Sequence, residues 1–154
     1  MTDDDWLVDT EWSIPSEYGQ EKLISAKLTK LLAELRLFAS RISDMCTAVT
    51  EACLNALEHG NKLDKCQRVR VRVRIAATRA IYRILDGGDG FDYASWDKSL
   101  LDETVVASKL DEDDPRGWGM KLILTLADEV RFGREKRDFY TEMEFVQSKV
   151  QFRT

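Results

Sequence analysis

Proline, histidine and long apolar runs are scarce in this chain, and each shortage excludes something. Proline occurs only at Pro15 and Pro115, each where one element gives way to another. No low-complexity linker divides the chain, and there is no internal repeat. His59 is the sole histidine, and no two of the three cysteines have zinc-ligand spacing, which argues against a zinc site. Cys46 and Cys53 stand seven residues apart on one expected helix, roughly 10 Å at about 1.5 Å rise per residue, too far for a disulfide. Cys66 is left unpaired by the same logic. The three thiols read as buried apolar side chains in a reducing compartment. No apolar run approaches the roughly 20 residues needed to span a bilayer. The opening Met1-Thr-Asp-Asp-Asp5 has neither the basic residues nor the apolar core of a secretory signal, so a cytoplasmic location with no membrane contact is expected. A Gly-Lys-Ser/Thr phosphate loop is missing as well. So is a basic excess: the formal net charge is −5 and the pI about 5.0, which disfavours a general nucleic-acid binder.

What is present suits one globular domain over residues 1–154, with 44% hydrophobic and 33% charged residues and room for a sizeable core. Acids gather at residues 3–5 and 111–114, and arginines at 68–74; such a polarised surface suits a charged protein partner. Residues 6–14 read as a first strand. Ser16 is a plausible N-cap for an amphipathic helix reaching about Phe38, with Ile24, Leu28, Leu31 and Leu35 on one face. Ser43 or Asp44 caps a second helix running to about His59, with Gly60 as its stop. Cys46, Val49, Cys53, Ala56 and Leu57 form its apolar face, and Glu51, Asn55 and His59 a polar stripe opposite.

Residues 68–75, Arg-Val-Arg-Val-Arg-Val-Arg-Ile, alternate strictly, the pattern of a half-buried strand with valines inward and arginines outward. A second strand over 80–85 pairs with it as a hairpin and ends at Asp86. Residues 92–116 have little periodicity and many charges, as lids and binding loops do. Gly117-Trp-Gly119 then opens a helix from Met120 to about Asp128, and strands follow at 129–132 and 139–146. Helices cluster instead of alternating with strands. An α+β sandwich with a mixed, mostly antiparallel sheet covered by helices on one face is therefore expected.

Three segments carry chemistry. Glu51 and Asn55 lie one helical turn apart. A carboxamide oxygen can ligate Mg²⁺, and a carboxylate can take a proton from an attacking hydroxyl; a solvated polar face is the ordinary alternative. Asp86-Gly-Gly88-Asp-Gly90-Phe91 puts an acid able to accept a hydrogen bond from an amino group just before a glycine-rich bend, although an ordinary strand-ending turn has the same composition. Gly117 and Gly119 precede a helix, where exposed N–H groups favour phosphate; a flexible helix entry would look alike. His59 fits either a site or a helix C-terminus. Arg68, Arg70, Arg72 and Arg74 fit either a solvated strand face or a contact for an acidic partner.

In this order and spacing the three segments resemble the N, G1 and G2 boxes of the Bergerat-fold ATPases, the superfamily of gyrase, the histidine kinases and the mismatch-repair ATPases. The small size, the Glu51-Ala-Cys-Leu-Asn55-Ala-Leu-Glu-His59 segment and Ala127-Asp-Glu-Val130 are most similar to the anti-sigma-factor serine kinases. The resemblance is strong over about residues 44–131. It implies that Asn55 binds Mg²⁺, that Asp86 contacts adenine in a pocket shaped by Gly88 and Gly90, and that Gly117 and Gly119 meet the phosphates with Met120 and Arg116 beside them. His59 matches the N-box histidine, and Thr141 is placed to reach adenine. Glu51 is implied as the general base for a serine hydroxyl, and residues 92–116 as an ATP lid. Trp118 between the two glycines and the acids at 111–114 depart from the family pattern.

The implied function is an ATP-dependent protein-serine kinase that also sequesters a sigma factor. It would phosphorylate a small anti-sigma-factor antagonist, oppose a PP2C-type phosphatase, and form a homodimer. Two other readings stay open: a non-catalytic module that uses ATP only to switch partners, and the ATPase half of a two-component histidine kinase.

Overall fold

The structure is a computed structural model and describes residues 5–91 and 117–147. The lid expected over 92–116, Arg116 within it, and the acids at 111–114 lie outside the described residues. Five strands form one sheet: β1 Val8–Pro15, β2 Arg68–Ile75, β3 Arg79–Asp86, β4 Glu129–Glu135 and β5 Asp138–Val146. Their spatial order is β1-β2-β3-β5-β4, and all four pairings are antiparallel. The helices are α1 Glu21–Leu35, α2 Ile42–Asn55 and α3 Gly117–Leu126.

The alternation of β2 does what its sequence dictates. Val69, Val71, Val73 and Ile75 are all fully buried against the helical layer, each stabilising by roughly 1.5–3 kcal/mol. Across from them Ala80, Tyr82 and Ile84 of β3 and Met143 and Phe145 of β5 complete the inner face. The helices answer with Leu28 and Leu32 of α1, Met45 and Val49 of α2, and Ile123 and Leu124 of α3. The one polar atom of Tyr82 donates to Met45 Sδ at 3.4 Å, and burial carries that phenol far above its ordinary pKa. Cys53 is buried as expected, and its burial pushes the thiol up to about 12, with Glu21 adding to the shift. Cys46 is only half-buried and Cys66, in the turn before β2, is exposed, contrary to the expectation of three buried thiols.

Local chemistry departs from the sequence expectations at the helix ends. Ser16 does not cap α1, which starts at Glu21. Its hydroxyl instead donates to the Gln67 carbonyl at 2.6 Å and accepts from Asn61 Nδ2 at 2.9 Å. Arg41, not Ser43 or Asp44, precedes the first residue of α2, and no side chain caps it. The chain reaches Arg41 through Arg36 and Phe38, both at φ 56°. Phe38 is fully buried, so packing holds a backbone conformation that an aromatic residue rarely adopts.

The outer face of the sheet shows what the arginine stripe touches within the chain. Glu11, Arg72, Arg83, Glu142 and Arg131 stand in one row across all five strands. The adjacent Arg72 and Arg83 would repel, but Glu135 lies between them, bidentate to Arg72 at 2.8 Å and 3.0 Å from Arg83. Arg70 pairs with Glu11 and Asp138, and Arg74 with Asp9. Arg131 reaches Glu142 and Glu144. Arg68 donates to Ser13 Oγ and its carbonyl. The stripe is thus an intramolecular charge lattice.

The lattice makes acid sensitivity predictable. Hydrogen bonds from Arg72 hold the Glu135 carboxyl down at about 2, and arginine bonds outweigh burial to lower Glu142 as well. A carboxylate depressed in the folded state contributes stability above its unfolded pKa and loses it as pH falls through the folded value. Thermal stability is expected to drop between about pH 4.5 and 2 for this group, and Glu135→Gln should flatten that part of a calorimetric pH series. An unchanged slope would refute the assignment.

Candidate nucleotide site

The end of β3 and the start of β5 meet the end of α2 at one corner of the sheet. There Ala52, Asn55, Ala56, Gly60, Asp86, Gly90, Phe91, Met120, Phe139 and Thr141 line a cleft. Segments from four parts of the chain converge on it, and five of the residues singled out from sequence, Asn55, Asp86, Gly90, Met120 and Thr141, line it together.

Asp86 closes one end. It is 7% exposed and accepts a hydrogen bond from the Gly88 N–H at 2.8 Å. A buried acid needs close approach by its surroundings, and the glycines supply it. A Cβ on Gly60 would lie 2.3 Å from Asp86 Cγ, and one on Gly88 2.5 Å from the Gly60 carbonyl oxygen. The helical run ends at Gly60 as expected, but through a π-helical turn over Ala56–Gly60 and without a positive φ, so Gly60 is there as a packing requirement. The turn is closed by the Asn61 N–H donating to the Ala56 carbonyl at 2.8 Å. Bonding over five residues turns each residue by less than an α-helix does, which takes His59 out of the row of Glu51 and Asn55. His59 is absent from the cleft lining; its Nε2 lies 3.9 Å from Glu58 Oε1. Gly88 lines an adjoining polar hollow with Gly60, Asn61 and Gly87.

Gly90, at φ +77°, is the other glycine the site requires; a Cβ there would meet the Phe139 ring at 2.6 Å. Phe91 packs edge-on to Phe132 and Phe139, with ring centres 5.3 and 5.5 Å away. This aromatic wall was not anticipated from sequence. Phe91 and Phe139 are 48 residues apart, and they meet because β3 pairs Asp86 with Phe139 and the glycine loop after Asp86 turns back over that ring.

At the other end Glu51 and Asn55 both face α3. A Cβ on Gly119 would sit 2.8 Å from Glu51 Oε2 and 3.6 Å from Asn55 Oδ1. Gly117 and Met120 are buried beside them, whereas Trp118 turns outward and is 69% exposed. Burial raises the Glu51 carboxyl above its ordinary pKa, the direction that favours a proton acceptor near neutral pH. Asn55 Nδ2 is buried with no hydrogen-bond partner among the described residues. An unsatisfied buried amide costs about 1–3 kcal/mol, a cost that an acceptor entering the cleft would offset.

Asn61 is a second residue that sequence reasoning missed. Only 3% exposed, it accepts from the Gly87 N–H at 2.7 Å and donates to Ser16 Oγ at 2.9 Å and the Arg68 carbonyl at 3.3 Å. One amide thereby ties the Asp86 loop to the end of β1 and the start of β2. Asn61→Ala strands these partners and is expected to cost about 2–3 kcal/mol, read as a lower urea midpoint. A loss below ~0.5 kcal/mol would show that the amide is not the tie.

Comparison with known proteins gives the family. The pattern of the histidine kinase-like ATPase domain matches residues 14–144. The chain belongs to that family. The ATPase domain is 31% identical over 121 residues to the serine-protein kinase RsbW of Bacillus subtilis, covering 79% of this chain and 75% of that one. RsbW of Bacillus licheniformis matches at the same identity and coverage. Among solved structures, the SiaB–SiaC complex from Pseudomonas aeruginosa superposes with a TM-score of 0.65 at 16% identity, over 92% of this chain and 90% of the other. The RsbU and RsbW domains of a Mycobacterium tuberculosis protein superpose at 0.63 and 18% identity, over 92% of this chain and 33% of that longer one. The identities of the RsbW relatives place the ATPase domain among the ATP-using serine-protein kinases. No helix among its described residues is long and apolar enough to cross a membrane.

Proposed function

We propose that this chain is an ATP-dependent protein-serine kinase and anti-sigma factor that works by partner switching. It holds a sigma factor, phosphorylates that factor's anti-sigma-factor antagonist, and is opposed by a PP2C-type phosphatase. It acts in the cytoplasm as a homodimer. The observation that carries the reading is the convergence on Gly119 of Glu51 and Asn55, whose amide nitrogen has no partner among the described residues, beside a cleft closed by Asp86.

In this reading Asp86 accepts from the exocyclic amino group of adenine, with Thr141 beside it. Gly90 and Phe139 shape the purine slot. Gly117 and Gly119 leave room for the phosphates, since a side chain at 119 would fill the space in front of Glu51. Asn55 is the residue fitted to hold Mg²⁺ through its amide oxygen, a hard donor. The ion neutralises phosphate charge when bound. Glu51 takes the proton of the acceptor serine hydroxyl as its oxygen attacks the γ-phosphorus; the bond to the β–γ bridging oxygen breaks and ADP leaves. Phosphoryl transfer asks mainly for positioning and charge neutralisation, and these residues supply both.

Incubation of the chain with γ-labelled ATP and a candidate antagonist tests the reading. Label on the antagonist that vanishes in Glu51→Ala is the expected result. ATP binding without any transfer would instead favour a nucleotide-gated binding module.

A further inference from the structure

We propose that Arg134, on the β4–β5 hairpin, is a positioning residue for the nucleotide, acting through the backbone of the Asp86–Phe91 loop. The proposal rests on the reading of the cleft as an ATP site.

The loop contains Gly87, Gly88 and Gly90, and glycine loses more conformational freedom on ordering than any other residue. A glycine-rich loop that must hold one shape therefore needs ties from outside. Its N–H groups have them: Gly87 donates to Asn61 and Gly88 to Asp86. Among the described residues, two of its carbonyls are held by one side chain. Arg134 Nη1 donates to the Gly88 carbonyl at 3.2 Å, and Nη2 to the Asp89 carbonyl. Nη1 also donates to the Arg137 carbonyl at 3.2 Å across the hairpin turn.

The arginine is itself steered. It pairs in register with Phe139, and its guanidinium carbon lies 5.9 Å from the centre of that ring. Phe139 is the ring that a Cβ on Gly90 would strike. Guanidinium, aromatic wall and left-handed glycine thus form one packed unit along the edge of the proposed purine slot. The neighbours Glu135 and Asp138 anchor the same hairpin to Arg72 and Arg70 of β2, so the arginine projects from a fixed base. A planar fork with several donors suits two carbonyls on successive residues, and a lysine ammonium, a single point of charge, does not reproduce it.

Because Arg134 acts before chemistry, its loss should weaken ATP binding and spare turnover. Arg134→Ala is expected to raise the ATP dissociation constant about tenfold, the worth of one or two charge-assisted bonds, with the maximal transfer rate at saturating ATP within about twofold. Arg134→Lys should recover part of the affinity. Lys136→Ala, at the tip of the same hairpin, should change nothing. Calorimetric titration of the full chain with ATP reads the affinities, thermal melting checks the fold, and hydrogen exchange of residues 87–90 without nucleotide reads the loop directly. Faster exchange in Arg134→Ala, with the affinity loss and an unshifted melting midpoint, supports the proposal. Unchanged affinity overturns it. A wild-type chain that binds no ATP would refute the reading of the cleft; exchange at 87–90 would still judge the clamp, and exchange unmoved by Arg134→Ala would refute that too.

Discussion

Glu51→Gln is expected to lower phosphoryl transfer to a protein acceptor by a factor of ~10²–10⁴ while leaving ATP affinity within about twofold. Glutamine keeps the shape and a hydrogen-bonding end but cannot take a proton. Its amide also fits the space, because Glu51 Oε2 faces a bare Gly119 with no side chain to displace. The burial that raises the carboxyl's pKa sets the pH dependence: a base works only when ionised, so transfer should rise with pH through a value above that of an ordinary glutamate. The Gln variant should lose this limb along with the rate. Label transfer and ATP titration on the two proteins make the comparison. Equal losses in affinity and rate would mean that Glu51 holds the site together and does no proton chemistry. Transfer at the wild-type rate would remove it from the mechanism.

The sequence showed the parts of this site better than it showed their supports. β2 was legible because its alternation is strict and its inward valines have one place to go. Glu51, Asn55 and Asp86 stood out through the order and spacing of the three segments, since each alone also fits a solvated helix face or an ordinary strand-ending turn. The ties around them were not legible. Asn61 follows the π-helical turn that reorients it, and its three partners come from β1, β2 and the Asp86 loop. Arg134 looked like one more charge in a hairpin turn. The row from Glu11 to Arg131 needs five strands in register, so the arginines of β2 could be seen in the sequence but their acids could not be assigned. His59 shows the same limit from the other side: it falls on the polar stripe only while the helix stays α-helical.

Gly60→Ala is expected to abolish measurable nucleotide binding, a loss of at least ~100-fold, and to cost about 1–3 kcal/mol of stability from overpacking. The added carbon would lie 2.3 Å from Asp86 Cγ and 2.5 Å from both carboxylate oxygens, so one group has to leave. Asp86 is held by the Gly88 N–H, and the Gly88 backbone already lies against Gly60, where a Cβ on Gly88 would be only 2.5 Å from the Gly60 carbonyl. Displacing the carboxylate also displaces the loop that frames the purine. Gly19→Ala separates this effect from glycine chemistry in general: it has φ +97° but open space around it, so it should lose some stability and no affinity. The double variant Gly60→Ala/Asp86→Ala separates the two consequences of the clash. Removing the carboxylate makes room for the new methyl, so the stability costs should fall well short of additive, while binding stays lost because the group that reads the purine is gone. Additive stability losses would mean that the two residues do not meet. Restored binding would mean that Asp86 is not the reader.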